Sequence, residues 1–147
     1  MIRAIVAMDL HQGIAQDGKI PWDLPEDRQY FKEKTAGAVV LMGRGTYHTL
    51  TAPLPGRTNL VLTHKKRLRP GFIAVRDLVL VIESYPDLWI IGGADVYAQA
   101  LPYCQELYIT HVAGDYACDR FFPAYKSMFK SSRKQGIYFV YQQISKD

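Results

Sequence analysis

Short apolar runs recur along the chain with polar, helix-periodic stretches between them, the arrangement of an α/β sheet. Ile2 to Met8, Ala38 to Met42, Asn59 to Thr63, Phe72 to Val75 and Leu88 to Ile91 are aliphatic or β-branched and turn-bounded, which predicts buried strands. Leu107 to Val112 and Ile137 to Ile144 mix aromatic with β-branched residues and are read as strands too. Lys134-Gln135-Gly136 reads as a turn, so the chain is expected to end antiparallel. Helices fit between the strands. Pro25 suits a first helical turn, Glu26 and Asp27 suit its positive end, and the pattern runs to about Lys34 before Gly37. Arg76 to Ser84 and Asp95 to Leu101 are shorter helices, the second stopped by Pro102, and Thr46 to Leu50 also has a helical pattern. The longest irregular stretches are Asp9 to Leu24 and Thr51 to Thr58, and long loops in a small fold are often functional.

Composition narrows the class. The chain has 147 residues, 48% hydrophobic and 22% charged, which predicts one domain with an adequate core. No apolar run approaches the ~18 to 20 residues of a membrane-spanning helix, and MIRAIVAMDL breaks at Asp9 without a signal-peptide core. Cys104 and Cys118 lack a Cys-x-x-Cys spacing, so a reduced, cytoplasmic protein is expected. The formal charge is +4, and the one dense basic run is His64-Lys65-Lys66-Arg67-Leu68-Arg69. That favours a small polyanion as ligand, with neither nucleic acid nor membrane as partner. His11, His48, His64 and His111 have no zinc-like spacing, no nucleophilic triad is legible, and no metal is expected.

Three features carry chemistry. Asp27 lies one helical turn before Phe31, preceded by Trp22 and Leu24, so an acid and an aromatic ring share a face. It reads either as a solvated helix-start carboxylate or as an acid in an apolar cleft, with a raised pKa and two acceptor oxygens for a nitrogen heterocycle. Asp23 and Glu26 are nearby, but their spacing from Phe31 is wrong for that face. Gly43-Arg44-Gly45-Thr46 and Trp89-Ile90-Ile91-Gly92-Gly93-Ala94 each pass from strand through glycine into helix, a form shared by plain turns and by phosphate cradles. Neither is a Walker or Rossmann motif. Pro53-Leu54-Pro55-Gly56-Arg57 is a rigid loop delivering a guanidinium suited to a carboxylate, or simply a turn.

Read together, IVAMD, IPWDLPED, Gly43-Arg44-Gly45-Thr46-Tyr47, PLPGR with Asn59, IIGGADVY, LYITHV and CDRFFP resemble the dihydrofolate reductase family, bacterial chromosomal type, over nearly the whole chain. The resemblance implies a central eight-stranded, mostly parallel sheet with an antiparallel C-terminal hairpin, flanked by four helices. It implies NADPH-dependent reduction of 7,8-dihydrofolate to 5,6,7,8-tetrahydrofolate, by hydride transfer to C6 and protonation at N5, supplying one-carbon metabolism. A monomer that binds antifolate inhibitors is expected. The catalytic set implied is Asp27, Trp22 and Thr110, whose hydroxyl bonds the acid. Ile5, Ala7, Phe31, Leu50, Leu54 and Ile91 match the pocket walls, and Arg57 matches the partner of the substrate's glutamate α-carboxylate. Ala7, Ile14 and Ile20 match nicotinamide contacts, with Ile91 and the Tyr97 ring beside them. Gly43, Arg44, Gly45 and Thr46 with Gly92, Gly93, Ala94, Asp95 and Val96 match the phosphate cradle. Leu62, Thr63, His64 and Lys65 match the segment that meets the 2′-phosphate.

Some positions depart from the family pattern. Ala15 stands for a usual glycine and Ile20 for methionine or leucine in the first loop, and Cys118 and Arg120 replace glycine and threonine in the loop that braces it. Thr49 replaces a serine. Arg28 replaces a leucine beside the expected substrate tail, where it meets that tail or pairs with Asp23 or Glu26. The stretch from Lys66 to Pro86 and the final hairpin are shorter than usual. Two other classes stay open: an NADPH reductase acting on another pteridine or a riboflavin-pathway pyrimidine, and an inactive nucleotide- or RNA-binding module. A substrate without a glutamate tail has no use for Arg57.

Overall fold

The strand β1 (Ile2–Met8) is buried at five of its seven positions, as a central strand covered on both faces must be. It lies in an eight-stranded sheet with β3 (Val39–Gly43), β4 (Thr58–Leu62), β5 (Phe72–Val75), β6 (Leu88–Ile90), β7 (Glu106–His111), β9 (Phe129–Gln135) and β10 (Tyr138–Gln143), in a computed structural model that describes residues 1–144. The order is β5-β4-β3-β6-β1-β7-β10-β9. β1 runs parallel to β6 and β7, and β10 runs antiparallel to both β7 and β9. This is the fold class that the resemblance implied.

Side chains alternate across the sheet and divide the core in two. Val40, Met42, Ile5 and Val61 face helix α1 (Pro25–Thr35) and helix α2 (Arg44–Thr49), with Phe31 and Tyr47 packed among them. Leu41, Leu60, Ile90 and Leu107 face the opposite way, against α3 (Leu78–Ser84) and α4 (Ala94–Ala100). Burying each such side chain is worth ~1.5 to 3 kcal/mol, so the two apolar layers hold the carboxyl ends of the parallel strands in one fixed row.

Several boundaries move from the sequence expectation. β2 (Gly13–Ala15), inside the irregular stretch Asp9 to Leu24, pairs antiparallel with β8 (Arg120–Phe121), where the sequence predicts no element. They are too short to show a period, and long-range pairing alone creates them. β9, the first strand of the hairpin that the resemblance implies, leaves no mark in the apolar pattern, because only Phe129 of its seven residues is buried. Its Lys130, Arg133 and Lys134 mark a charged edge strand. The hairpin turn falls at Gly136–Ile137, one step after the sequence placed it, where Gly136 takes φ +60°. The segment Ile137 to Ile144 forms a strand only over Tyr138–Gln143.

Helix α3 begins at Leu78 rather than Arg76 because the Asp77 carboxylate accepts from the Val79 and Leu80 amides at 2.9 and 3.3 Å. These are donors that a helix start otherwise leaves unpaired. Replacing Asp77 by alanine should lower unfolding stability by ~1 kcal/mol in urea titration. An unchanged midpoint would show that α3 is held by packing alone.

Candidate active site

Pro25 opens α1, and its first turn carries Glu26 and Asp27 toward the positive helix end. Packing of α1 on the sheet brings Asp27 to β7, where the Thr110 hydroxyl donates to Oδ1 at 2.7 Å. Thr110 is buried, lies beside Ala7 in the β1–β7 register, and faces Tyr138 of β10. Tyr138 in turn stacks on Tyr30 of α1, ring centroids 4.3 Å apart. Burial pushes the Asp27 carboxyl above its ordinary range, and the Thr110 hydrogen bond offsets only part of that rise. Asp23 and Glu26 are exposed, so Asp27 is the inward acid. Ile5, Phe31, Leu50, Leu54 and Ile91 pack in one apolar group beside it. Trp22 is buried edge-on against Tyr116, centroids 5.3 Å apart.

Arg57 is anchored from behind. Its Nε donates to the Thr35 carbonyl and hydroxyl at 3.1 and 3.0 Å, Nη1 to the Pro55 carbonyl at 3.0 Å and Nη2 to the Lys32 carbonyl at 3.3 Å. Each terminal nitrogen keeps one further N–H, the pair needed to meet both oxygens of a carboxylate. The loop that delivers it is organised by buried Asn59, which accepts from the Leu54 amide and donates to the Leu54 and Arg57 carbonyls. Arg28 is exposed and ion-paired with Asp23, the solvated arrangement of the two foreseen for it.

The two glycine junctions meet. The Gly43 amide donates to the Gly92 carbonyl at 2.8 Å, and a Cβ on Gly43 would lie 2.7 Å from Val96 Cγ2. The Gly92–Gly93 peptide is cis, and the Thr46 hydroxyl lies beside Gly92. A cavity of about 600 Å³ adjoins this junction, with Thr46, Gly92, Gly93 and Ala94 behind its wall rather than in its lining. Gly43, Arg44 and Gly45 line it from the β3–α2 junction, Leu62, Thr63 and His64 from the end of β4, and Asp95 and Val96 from α4. Arg76, Leu78 and Gln99 complete the wall and were missed in the sequence. Arg76 stands at a third strand-to-helix junction, but one without glycine to mark it. Lys65 is exposed next to this wall, its amide bonded to Thr63 Oγ1 at 3.1 Å. Close backbone approach plus Arg44, His64 and Arg76 suits the phosphates of a dinucleotide. Tyr97 is 4% exposed, its hydroxyl donating to the Ile5 carbonyl at 2.6 Å, so it backs the cradle from the core. Ile14 is buried in the core, whereas Ile20 is 65% exposed on the loop before Trp22.

The loops around the cleft hang on Asp9, which the sequence marked only as a strand end. Its Oδ1 accepts from the His11 and Gly13 amides at 3.0 and 2.8 Å, and Oδ2 from the Tyr116 amide at 3.0 Å. Burial alone would raise this carboxyl, but those backbone donors and the Cys118 thiol outweigh it and hold the pKa below its ordinary value. Asp119 adds a second tie, its amide to the Ala15 carbonyl and its Oδ2 to the Asp17 amide. The Cys118 departure has a steric partner, because a Cβ on Gly13 would fall 2.4 Å from Cys118 Cβ. The bulk gained at one position is relieved at the other.

Desolvation of Asp27 sets a sign for stability. Its folded pKa is raised above the ordinary 3.8, so its contribution to stability is full below that value and is lost as pH rises through the folded pKa. Asp27→Asn should therefore unfold at higher denaturant than the parent chain at pH 7, with the gap closing as pH falls toward the carboxylate range. Equal midpoints at pH 7 would contradict burial of the charge.

A family model described as dihydrofolate reductase matches residues 1–138. The chain is 40% identical over 129 residues to the dihydrofolate reductase of Bacillus subtilis (strain 168), covering 85% of this chain and 77% of that one. It is 35% identical over 122 residues to that of Haemophilus influenzae, covering 81% and 76%. Among solved structures, a dihydrofolate reductase from Enterococcus faecalis complexed with NADP(H) and RAB-propyl superposes with a TM-score of 0.87 at 29% identity, covering 99% of this chain and 97% of that one. Sequence and fold agree across nearly the whole length, and the chain belongs to the dihydrofolate reductase family.

Proposed function

We propose that this chain reduces 7,8-dihydrofolate to 5,6,7,8-tetrahydrofolate with NADPH, feeding one-carbon metabolism. The observation that carries the reading is the Asp27–Thr110 pair beside the apolar group of Ile5, Phe31, Leu50, Leu54 and Ile91, with only β1 between β7 and the strand junctions that line the glycine-bearing cradle. Bound NADPH supplies the hydride that adds to pterin C6. Asp27 accepts from the amidine-like edge of the pterin while Thr110 fixes the direction of its carboxylate. Its negative charge favours the N5-protonated substrate, with a water as proton carrier. Ile5, Phe31, Leu50, Leu54 and Ile91 keep the slot dry and stack the reacting rings. The free N–H pair of Arg57 takes the glutamate α-carboxylate.

Arg44, Thr63, His64 and Lys65 would hold the 2′-phosphate end, and the two glycine junctions the pyrophosphate. Antifolates that present an amidine edge compete for Asp27. No described helix is long and apolar enough to cross a membrane. We further infer a cytoplasmic monomer with no nucleic-acid partner. The anchored Arg57 favours a substrate with a carboxylate tail over a tailless pyrimidine.

Two measurements check this reading. NADPH absorbance should decay on adding dihydrofolate, and Asp27→Asn should lower that rate steeply at neutral pH with partial recovery in acid, where the substrate arrives protonated. An unchanged neutral rate would remove Asp27 from the chemistry. NADPH should outcompete NADH by ~1.5 to 3 kcal/mol per good phosphate contact, less at high salt. Equal efficiency at low ionic strength would contradict the 2′-phosphate assignment.

A further inference from the structure

The basic run His64 to Arg69 divides in the fold. Its first part borders the cradle, but Arg69, although exposed, folds back over the C-terminal end of α2. The Arg69 guanidinium lies over the Tyr47 ring at 4.3 Å from the centroid and over the Phe72 ring at 5.0 Å. Its backbone amide and Nε donate to the Tyr47 hydroxyl at 3.0 and 3.1 Å. Nη2 donates to the Tyr47 carbonyl at 2.7 Å and Nη1 to the Leu50 carbonyl at 2.6 Å. Every side-chain nitrogen is engaged, and both carbonyls lie at the negative C-terminal end of α2, where a cation is favoured. Two aromatic faces add attraction for the same charge.

Helix α2 has six residues, too few to hold its own geometry without tertiary support. Its two ends serve different subsites. Arg44 at the start lines the phosphate cavity, and Leu50 just past the end packs with Phe31, Leu54 and Ile91 at the substrate slot. The turn carrying Arg69 also abuts the loop that delivers Arg57, since a Cβ on Gly71 would lie 2.4 Å from Pro53 Cγ. A shift of α2 along its axis therefore moves both subsites together.

We infer that Arg69 is a positioning residue that clamps α2 and thereby couples cofactor binding to substrate-site binding. The inference rests on the proposed reductase reading. Arg69 touches neither ligand. Its loss loosens the phosphate seat and the Leu50 wall at once, and each ligand must then order α2 separately.

The test uses the full chain and its Arg69→Met and Arg69→Lys variants, Met keeping an apolar stem and Lys keeping the charge without the fork. Dissociation constants are measured for NADPH alone, and for a tailless diaminopyrimidine inhibitor with and without saturating NADPH, alongside melting temperatures. In the parent chain NADPH should tighten the inhibitor ~5-fold or more. Arg69→Met should weaken both ligands and bring that ratio toward one, with Arg69→Lys between the two. Affinities and ratio within about twofold of the parent, whatever the melting temperature does, would overturn the inference and leave Arg69 a purely structural staple. A ratio near one in the parent would overturn it too. If Arg69→Met does not fold, Tyr47→Phe removes only the hydroxyl acceptor and should lower the ratio in the same direction; an unchanged ratio there overturns the coupling. Failure of the parent to bind NADPH at all refutes the reductase reading instead, so the two failures are distinct.

Discussion

A carboxylate in the first turn of a helix is ordinarily solvated and comfortable; Asp27 is held half out of water because α1 must bury Phe31 and Tyr30 against the sheet. That burial would favour a neutral acid, and the Thr110 hydroxyl opposes it by donating to the charged form at 2.7 Å. The site depends on this balance. The bond also joins two parts of the chain 83 residues apart, so it exists only when β1, β7 and β10 are in register beneath the helix.

The sheet makes the remaining geometry follow. Parallel strands β1, β3 and β6 end in one row, and the Gly43 to Gly92 hydrogen bond welds two strand-to-helix junctions into a single surface. The short helix α2 then links the two regions, its Arg44 lining the basic cavity and Leu50 just past its end packing in the apolar group beside Asp27. Stacked rings of substrate and cofactor demand that adjacency. The loops over the cleft are tied to the strand row by Asp9, whose buried carboxylate spends both oxygens on backbone donors.

What could be read from the sequence was what has a period or a motif. The buried strands showed unbroken apolar runs, and Asp27 with Phe31 showed one helical turn of spacing. Strand β9 hid because six of its seven residues are exposed and polar or charged, while β2 and β8 hid because three and two residues carry no period. Arg69 read as one more surface cation in a basic run. Its true partners, Tyr47 and Leu50, lie 22 and 19 residues away, and only the closed fold brings them together. Cys118, read with Arg120 as a departure in the bracing loop, has its steric partner in Gly13, more than a hundred residues earlier and invisible to local spacing. Asp9 gave no signal beyond ending an apolar run, since its partners are backbone amides, which no residue type announces.

The direct test of the balance at Asp27 is a carbon-13 carboxyl NMR titration of that residue in the ligand-free chain and in Thr110→Val. A desolvated acid partly relieved by one hydroxyl should titrate above the ordinary aspartate value of 3.8 in the parent, and higher still once the hydroxyl is gone. A midpoint at or below 3.8 in the parent, or one that Thr110→Val leaves unmoved, would contradict the account.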